Sequence, residues 1–221
     1  MTNSSATSAP TAATALDADD PRAVLARAIA TAGAVIDAVQ PDQRALPTPC
    51  SDYDVRGMVA HLVSVLHRVT VIGGGGDIFT VPDRAELVAD DSWRGQWNAT
   101  AAEVQEAWSD HARLDATVQV PWTTMSGTSA LAVYTNEITV HTWDLAVATG
   151  QHPAWDDSVL AVSLRSIHEE LPDAERAALW AEVFAHLPAD VPFEPPFADA
   201  VDVPADAPAI DRLVAWNGRR P

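Results

Sequence analysis

The stretch Ser126-Gly-Thr-Ser-Ala-Leu-Ala-Val-Tyr134-Thr-Asn-Glu137-Ile-Thr-Val-His141-Thr-Trp-Asp144-Leu-Ala-Val-Ala-Thr-Gly150 decides the fold of this 221-residue chain. Ser126-Gly127-Thr128 leads into a helix, and the helix ends before Gly150. With Glu137 at zero and about 100° per residue, His141 falls near 40°, Asp144 near −20° and Tyr134 near 60°. Ala130, Val133 and Ala148 lie close to the same direction, and Ile138 and Leu145 flank it. Glu137, His141 and Asp144 therefore share a face otherwise built of apolar and small residues. Such a face is expected to point into a helical bundle.

Working outward, three more segments carry helical stripes. Asp19-Asp20-Pro21 marks the start of a first helix, and Val24, Leu25, Ile29, Val35, Ile36 and Val39 follow at helical spacing before Pro41. The residues 41–53, with three prolines, read as an ordered loop. Asp54 is a natural N-cap for a second helix, striped by Val55, Met58, Val59, Leu62, Leu66 and Val69, which runs out in Gly73–Gly76. A third helix is predicted over 92–112, with Trp93, Trp97, Val104 and Trp108. Residues 116–125 alternate around Pro121 and predict a short extended segment or hairpin.

Four helices of about 18–22 residues argue for a mainly all-α fold, a four-helix bundle over residues 18–155. Helical pieces at 159–171, 174–187 and 209–218, with a proline-rich stretch at 188–208, form a C-terminal helical extension over 156–221, expected to pack on the bundle. The Ser/Thr/Ala-rich residues 1–17 are expected to be a disordered tail.

Composition removes several function classes. A formal net charge of −18, from 31 acidic and 13 basic residues, repels phosphate backbones and anionic lipid, so neither nucleic acid nor membrane is an expected partner. No apolar run approaches the roughly 20 residues of a membrane span. The first residues lack the basic and apolar regions of a secretory signal. Every basic residue is Arg, which excludes lysine Schiff-base chemistry. The single Cys50 cannot form an intramolecular disulfide, which fits a reducing cytoplasm, and it rules out all-cysteine zinc sites. Any metal must be held by His and carboxylate.

A buried, unpartnered Glu137 would cost several kcal/mol. It is either protonated, the ion-pair partner of His141 one turn later, or half of a metal-ligand pair that needs a third donor from another helix. His61 and His67 on the second helix are both candidates, since each flanks the apolar stripe. Two histidines, one glutamate and an open position would make a catalytic type of zinc site. Asp144 would then support the His141 ring, or else form a salt bridge, with Arg56 the candidate partner.

Other features carry less chemistry. Cys50 stands near the start of the second helix, where a thiol can be activated, but a small buried residue is the preferred reading. Arg56 and Arg68 are read as surface residues rather than anion ligands. Gly73–Gly76 lacks the context of a phosphate loop. His111, His152, His168 and His186 have no partner at metal spacing, and no Gly-x-Ser-x-Gly elbow is present. Trp143 points away from the polar face and is read as packing or as an interface, which leaves room for a homodimer.

The run Thr48-Pro-Cys-Ser-Asp-Tyr-Asp-Val-Arg-Gly-Met-Val-Ala-His61-Leu62, with Glu137-Ile-Thr-Val-His141-Thr-Trp-Asp144-Leu-Ala-Val-Ala-Thr-Gly150 far downstream, resembles the DinB-like metal-binding proteins. It is most similar to those related to mycothiol-dependent maleylpyruvate isomerase, and residues 209–221 resemble the closing segment of one subgroup. The resemblance implies an up-down-down-up four-helix bundle holding a divalent metal, usually zinc. Carried over residue by residue, the ligands fall on His61, Glu137 and His141. It also implies mycothiol as a cosubstrate, and an S-transferase or isomerase acting on a small electrophile. The alternatives are a non-catalytic metal-binding or interaction protein of the same fold, and a metal-free bundle in which Glu137 and His141 simply pair.

Overall fold

A computed structural model describes residues 16–88, 93–183, 185 and 198–221. The expected tail therefore lies outside the described residues, apart from its last two positions. Among the described residues the chain is mainly helical. The elements are α1 (Pro21–Asp37), α2 (Val55–Gly73), α3 (Trp93–Ala107), the strands β1 (Thr117–Val120) and β2 (Thr123–Ser126), then α4 (Gly127–Thr149), α5 (Asp157–Glu170), α6 (Arg176–Val183) and α7 (Ala209–Trp216).

Side-chain caps set the helix starts. The Asp54 carboxylate accepts from the Gly57 amide at 2.7 Å, and the Ser126 hydroxyl from the Ser129 amide at 3.1 Å. Asp20 and Asp156 do the same for α1 and α5. Gly150 ends α4 with φ at 67°, a left-handed conformation that glycine adopts without penalty. The hairpin is antiparallel with Val120 opposite Thr123, so Pro121 and Trp122 form its turn.

The four long helices touch in a closed ring: α1 packs on α3 and α4, and α2 packs on α3 and α4. Leu25, Met58, Leu62, Leu66, Leu131, Ile138 and Leu145 are sealed inside. Two indoles lock α3 and its exit to the ring. Trp97 lies against Gly33 and donates its N–H to the Ile29 carbonyl at 3.1 Å. Trp108 lies against Gly73 and donates to the Val69 carbonyl at 2.9 Å. In both cases the acceptor is four residues before a glycine, whose missing side chain lets the ring lie on the helix backbone.

Several boundaries differ from expectation. The third helix stops at Ala107, not at 112, because Asp110 accepts from the Ala112 amide and starts a separate 3₁₀ turn over His111–Leu114. The predicted start at 92 lies outside the described residues, as does most of 184–197. By length and composition α2 is apolar enough to cross a membrane, contrary to the sequence expectation, yet 67% of that window is buried within the protein. Its apolarity serves the core.

The C-terminal residues share that core. α5 packs on α4 and α1, and α7 on α5 and α4. Val140 of α4 joins Leu160, Ile167, Leu171, Trp180 and Leu213 in a second apolar cluster. Asn136 and Asn217 exchange side-chain amide bonds at 3.3 and 3.2 Å, both buried. Arg176, fully buried, donates to the carbonyls of Pro172, Ala198 and Trp216.

Candidate metal centre

α2 and α4 pack side by side, and the contact brings His61, Glu137 and His141 together. One donor atom from each lies within 4.8 Å of the others. His61 Nε2 is 3.5 Å from Glu137 Oε1, and the two imidazole rings meet edge to face with centroids 4.9 Å apart. His67 lies elsewhere, its Nε2 3.5 Å from the Thr100 hydroxyl of α3.

Each histidine is held through its other nitrogen. His61 Nδ1 is 3.0 Å from the Tyr53 hydroxyl, 3.1 Å from the Asp83 carbonyl and 3.3 Å from Asp83 Oδ1. Tyr53 also donates to Asp83 Oδ2 at 2.8 Å and stacks on the His61 ring. His141 Nδ1 is 3.1 Å from Asp144 Oδ2. Asp144 is wholly buried, and Arg219 grips it with two bonds, at 2.9 and 3.3 Å. The salt bridge considered for Asp144 therefore exists, but its partner is Arg219 rather than Arg56, which lies over the Trp93 ring. Asp144 supports His141 and pairs with an arginine at once.

The charges of this cluster are mutually dependent. Burial lowers the affinity of His61 for a proton, yet Asp83 and Glu137 outweigh it and raise the group to about 9. Burial pushes the Glu137 carboxyl up, but His61, His141 and Arg68 together hold it below its usual range. Burial drives His141 below its ordinary value, against the pull of Asp144 and with help from His61. His141 is thus neutral at pH 7, with Nδ1–H turned to Asp144 and Nε2 left as its lone-pair donor.

The donor set matches a divalent cation. Tetrahedral ligands about 2.0–2.2 Å from zinc lie roughly 3.3–3.6 Å from one another, and the His61–Glu137 separation is already in that range. Cys50, His141 and Asp144 also offer donors within 4.8 Å of one another. That second set is poor, because Asp144 already serves a guanidinium. Cys50 is half-buried, and burial raises its thiol, so the activated-thiol reading fails.

His61, Glu137, His141 and Cys50 all line one cavity of about 680 Å³, whereas Asp144 lies buried behind it. Arg68 also lines it, 3.4 Å from Asp83 and 4.0 Å from Glu137, and is only 18% exposed, not a surface residue as expected. Trp143 is buried, which settles its choice in favour of packing. His168 packs on Trp216, and His186 lies outside the described residues. Sequence reasoning missed Tyr53, Asp83 and Arg219. Tyr53 and Arg219 stood inside the quoted motifs without a role, whereas nothing local marks Asp83.

Comparison with known proteins adds the following. A family model described as the mycothiol maleylpyruvate isomerase N-terminal domain matches residues 25–146. Two proteins of Mycobacterium tuberculosis, from two strains and named as uncharacterized proteins MT0763 and Rv0738, are each 27% identical over 202 residues, covering 90% of this chain and 98% of their own. No solved structure matches.

Proposed function

The chain belongs to the mycothiol maleylpyruvate isomerase N-terminal domain family, and on that premise we propose that it binds a divalent metal, zinc by preference, and uses a mycothiol-type thiol in an S-transfer or isomerisation reaction. His61, Glu137 and His141 would hold the metal. We further assign residues 18–155 as the up-down-down-up bundle of that family and 156–221 as an extension packed on it.

The observation that carries the proposal is the convergence of three donors, within 4.8 Å of one another, in the lining of a cavity of about 680 Å³, a size that suits a small-molecule site. When bound, the cation supplies a Lewis acid that favours the deprotonated form of a thiol beside it. The chain's own residues prepare the site. Asp144 fixes the His141 ring through Nδ1, and Arg219 keeps Asp144 ionised. Tyr53 and Asp83 fix His61 in the same way. Arg68 offsets the charge of Glu137 from the cavity side.

Elemental analysis of the purified chain tests the ligand set. About one divalent cation per chain is expected, and His61→Ala should lose it. Calorimetry should then show mycothiol binding to the metal-loaded chain and none after chelation. Metal retained by His61→Ala would refute the ligand set, and no thiol binding by the loaded chain would refute the enzyme reading.

A further inference from the structure

The cavity is lined by two unlike sets of residues. Besides the three donors it has a set of apolar ones: Ile167 and Leu171 from α5 and its exit, where Ser166 and Glu170 also line it, Leu179 and Trp180 from α6, and Trp122 from the hairpin turn. Ile167, Leu171 and Trp180 are buried members of the second apolar cluster, while Trp122 and Leu179 are partly exposed beside it. The Trp122 and Trp180 rings meet edge to face with centroids 6.3 Å apart. Partly exposed aromatic and aliphatic surface inside a concave site is what binds the apolar part of a ligand.

The charged groups of the cavity point the same way. Its described lining contains two arginines, and both are engaged. Arg219 is forked onto Asp144, and Arg68 sits between Asp83 and Glu137. Four carboxylates line the same space, Asp52, Asp83, Glu137 and Glu170. The chain has no lysine and a net charge of −18. An anionic substrate would lose its hydration here and find no uncommitted cation among the cavity's arginines.

We propose that the second substrate, the electrophile handled beside the three donors, is an uncharged molecule with an aromatic or branched apolar group seated against Trp122, Trp180, Ile167 and Leu179, and not a dicarboxylate. The proposal rests on the thiol-dependent reading above for the word electrophile. The preference for an uncharged apolar group rests on the cavity alone.

The test uses the full chain, both as purified and after chelator treatment, with two unreactive probes. One is 4-nitrobenzyl alcohol, neutral and aromatic; the other is maleate, a dicarboxylate. Binding is read by calorimetry and by quenching of tryptophan fluorescence. The alcohol should bind saturably, at least about tenfold more tightly than maleate in the chelated chain, where coordination of maleate by a cation cannot contribute. Trp122→Ala should weaken the alcohol about tenfold. Leu179→Asn serves as the second variant, with the same direction expected, should the hairpin turn not tolerate loss of its indole. Maleate binding as tightly as the alcohol would overturn the proposal, as would an alcohol affinity unchanged by both variants. Failure of the thiol reading looks different: mycothiol binding is absent while the alcohol still binds.

Discussion

Replacing Arg219 by Met isolates the charge beneath the candidate metal centre. Met keeps much of the aliphatic stem and removes the guanidinium. In the native chain Asp144 is fully buried and accepts two bonds from Arg219, at 2.9 and 3.3 Å, and one from His141 at 3.1 Å. Without Arg219 the carboxylate keeps one neutral imidazole as partner, in a place no water reaches directly. Breaking a buried pair from one side costs about 3–5 kcal/mol. The Arg219 side chain is 12% exposed on the cavity side, so some water can follow, and the lower end, about 3 kcal/mol, is expected. For a chain of this size that is a fall in Tm of roughly 6–12 °C. Urea unfolding followed by circular dichroism measures it. The double variant Asp144→Asn with Arg219→Met should lose clearly less than the sum of the two single losses, because the stranded charge has gone. Metal affinity should drop roughly 10–100-fold in Arg219→Met, since the ring of His141 loses its fixed support. A stability loss under about 0.5 kcal/mol would refute the claim that Arg219 neutralises a buried Asp144.

Three further outcomes follow from other parts of the fold. Gly73→Ala places a Cβ 2.6 Å from the Trp108 indole nitrogen and should cost about 1–3 kcal/mol, whereas Gly95→Ala, with nothing within 4 Å, should gain up to about 1 kcal/mol; equal denaturation midpoints would disprove the docking role of Trp108. Asn217→Ala strands the buried Asn136 amide and should cost about 1–3 kcal/mol by the same assay, with near-neutrality counting against a structural amide pair. The bonds to Arg22 hold Asp20 below its ordinary carboxylate value despite partial burial. A depressed folded-state value means stability that is present above the unfolded value and lost as pH falls through the folded one. The urea midpoint should therefore be level above about pH 5 and decline below about pH 4. Asp20→Asn, which keeps an N-cap, should flatten part of that decline; an unchanged acid limb would show that the Asp20–Arg22 pair contributes nothing.

What could be read in advance depends on the range of the interaction. Helix starts rest on one side chain and an amide two or three residues away, so Asp20, Asp54 and Ser126 mark them in the bare sequence. The end of the third helix also has a local cause, the Asp110 carboxylate on the Ala112 amide, but the helical spacing of the tryptophans at 93, 97 and 108 carries the predicted helix past it. Trp108 in fact leaves α3 to lie over Gly73, a choice made by the surface of α2 and invisible in its own segment. The candidate site divides the same way. Glu137, His141 and Asp144 share one helix face, and helical geometry alone assembles them. Helical phase does not separate His61 from His67, because the distinction lies in which side of α2 meets α4 rather than α3. Asp83 and Arg219 approach from 22 residues downstream of His61 and 75 downstream of Asp144. No periodicity connects them to their partners.

The energetic order is the reverse of this legibility. A helix face brings Glu137 and His141 together at little cost, but burying them requires partners, and those come from afar. Burial opposes the charge on Glu137 and on Asp144; His61, His141 and Arg68 reverse it for the first, and His141 and Arg219 for the second. The extension beyond α4 is therefore part of the site rather than an ornament on it, since it supplies the cation that allows Asp144 to stay ionised beneath His141. It supplies Trp180 and Leu179 as well, so the same segment provides both the cation beside Asp144 and part of the cavity's apolar lining. A change there should alter metal retention and ligand preference together, although no residue of the extension is itself a candidate ligand.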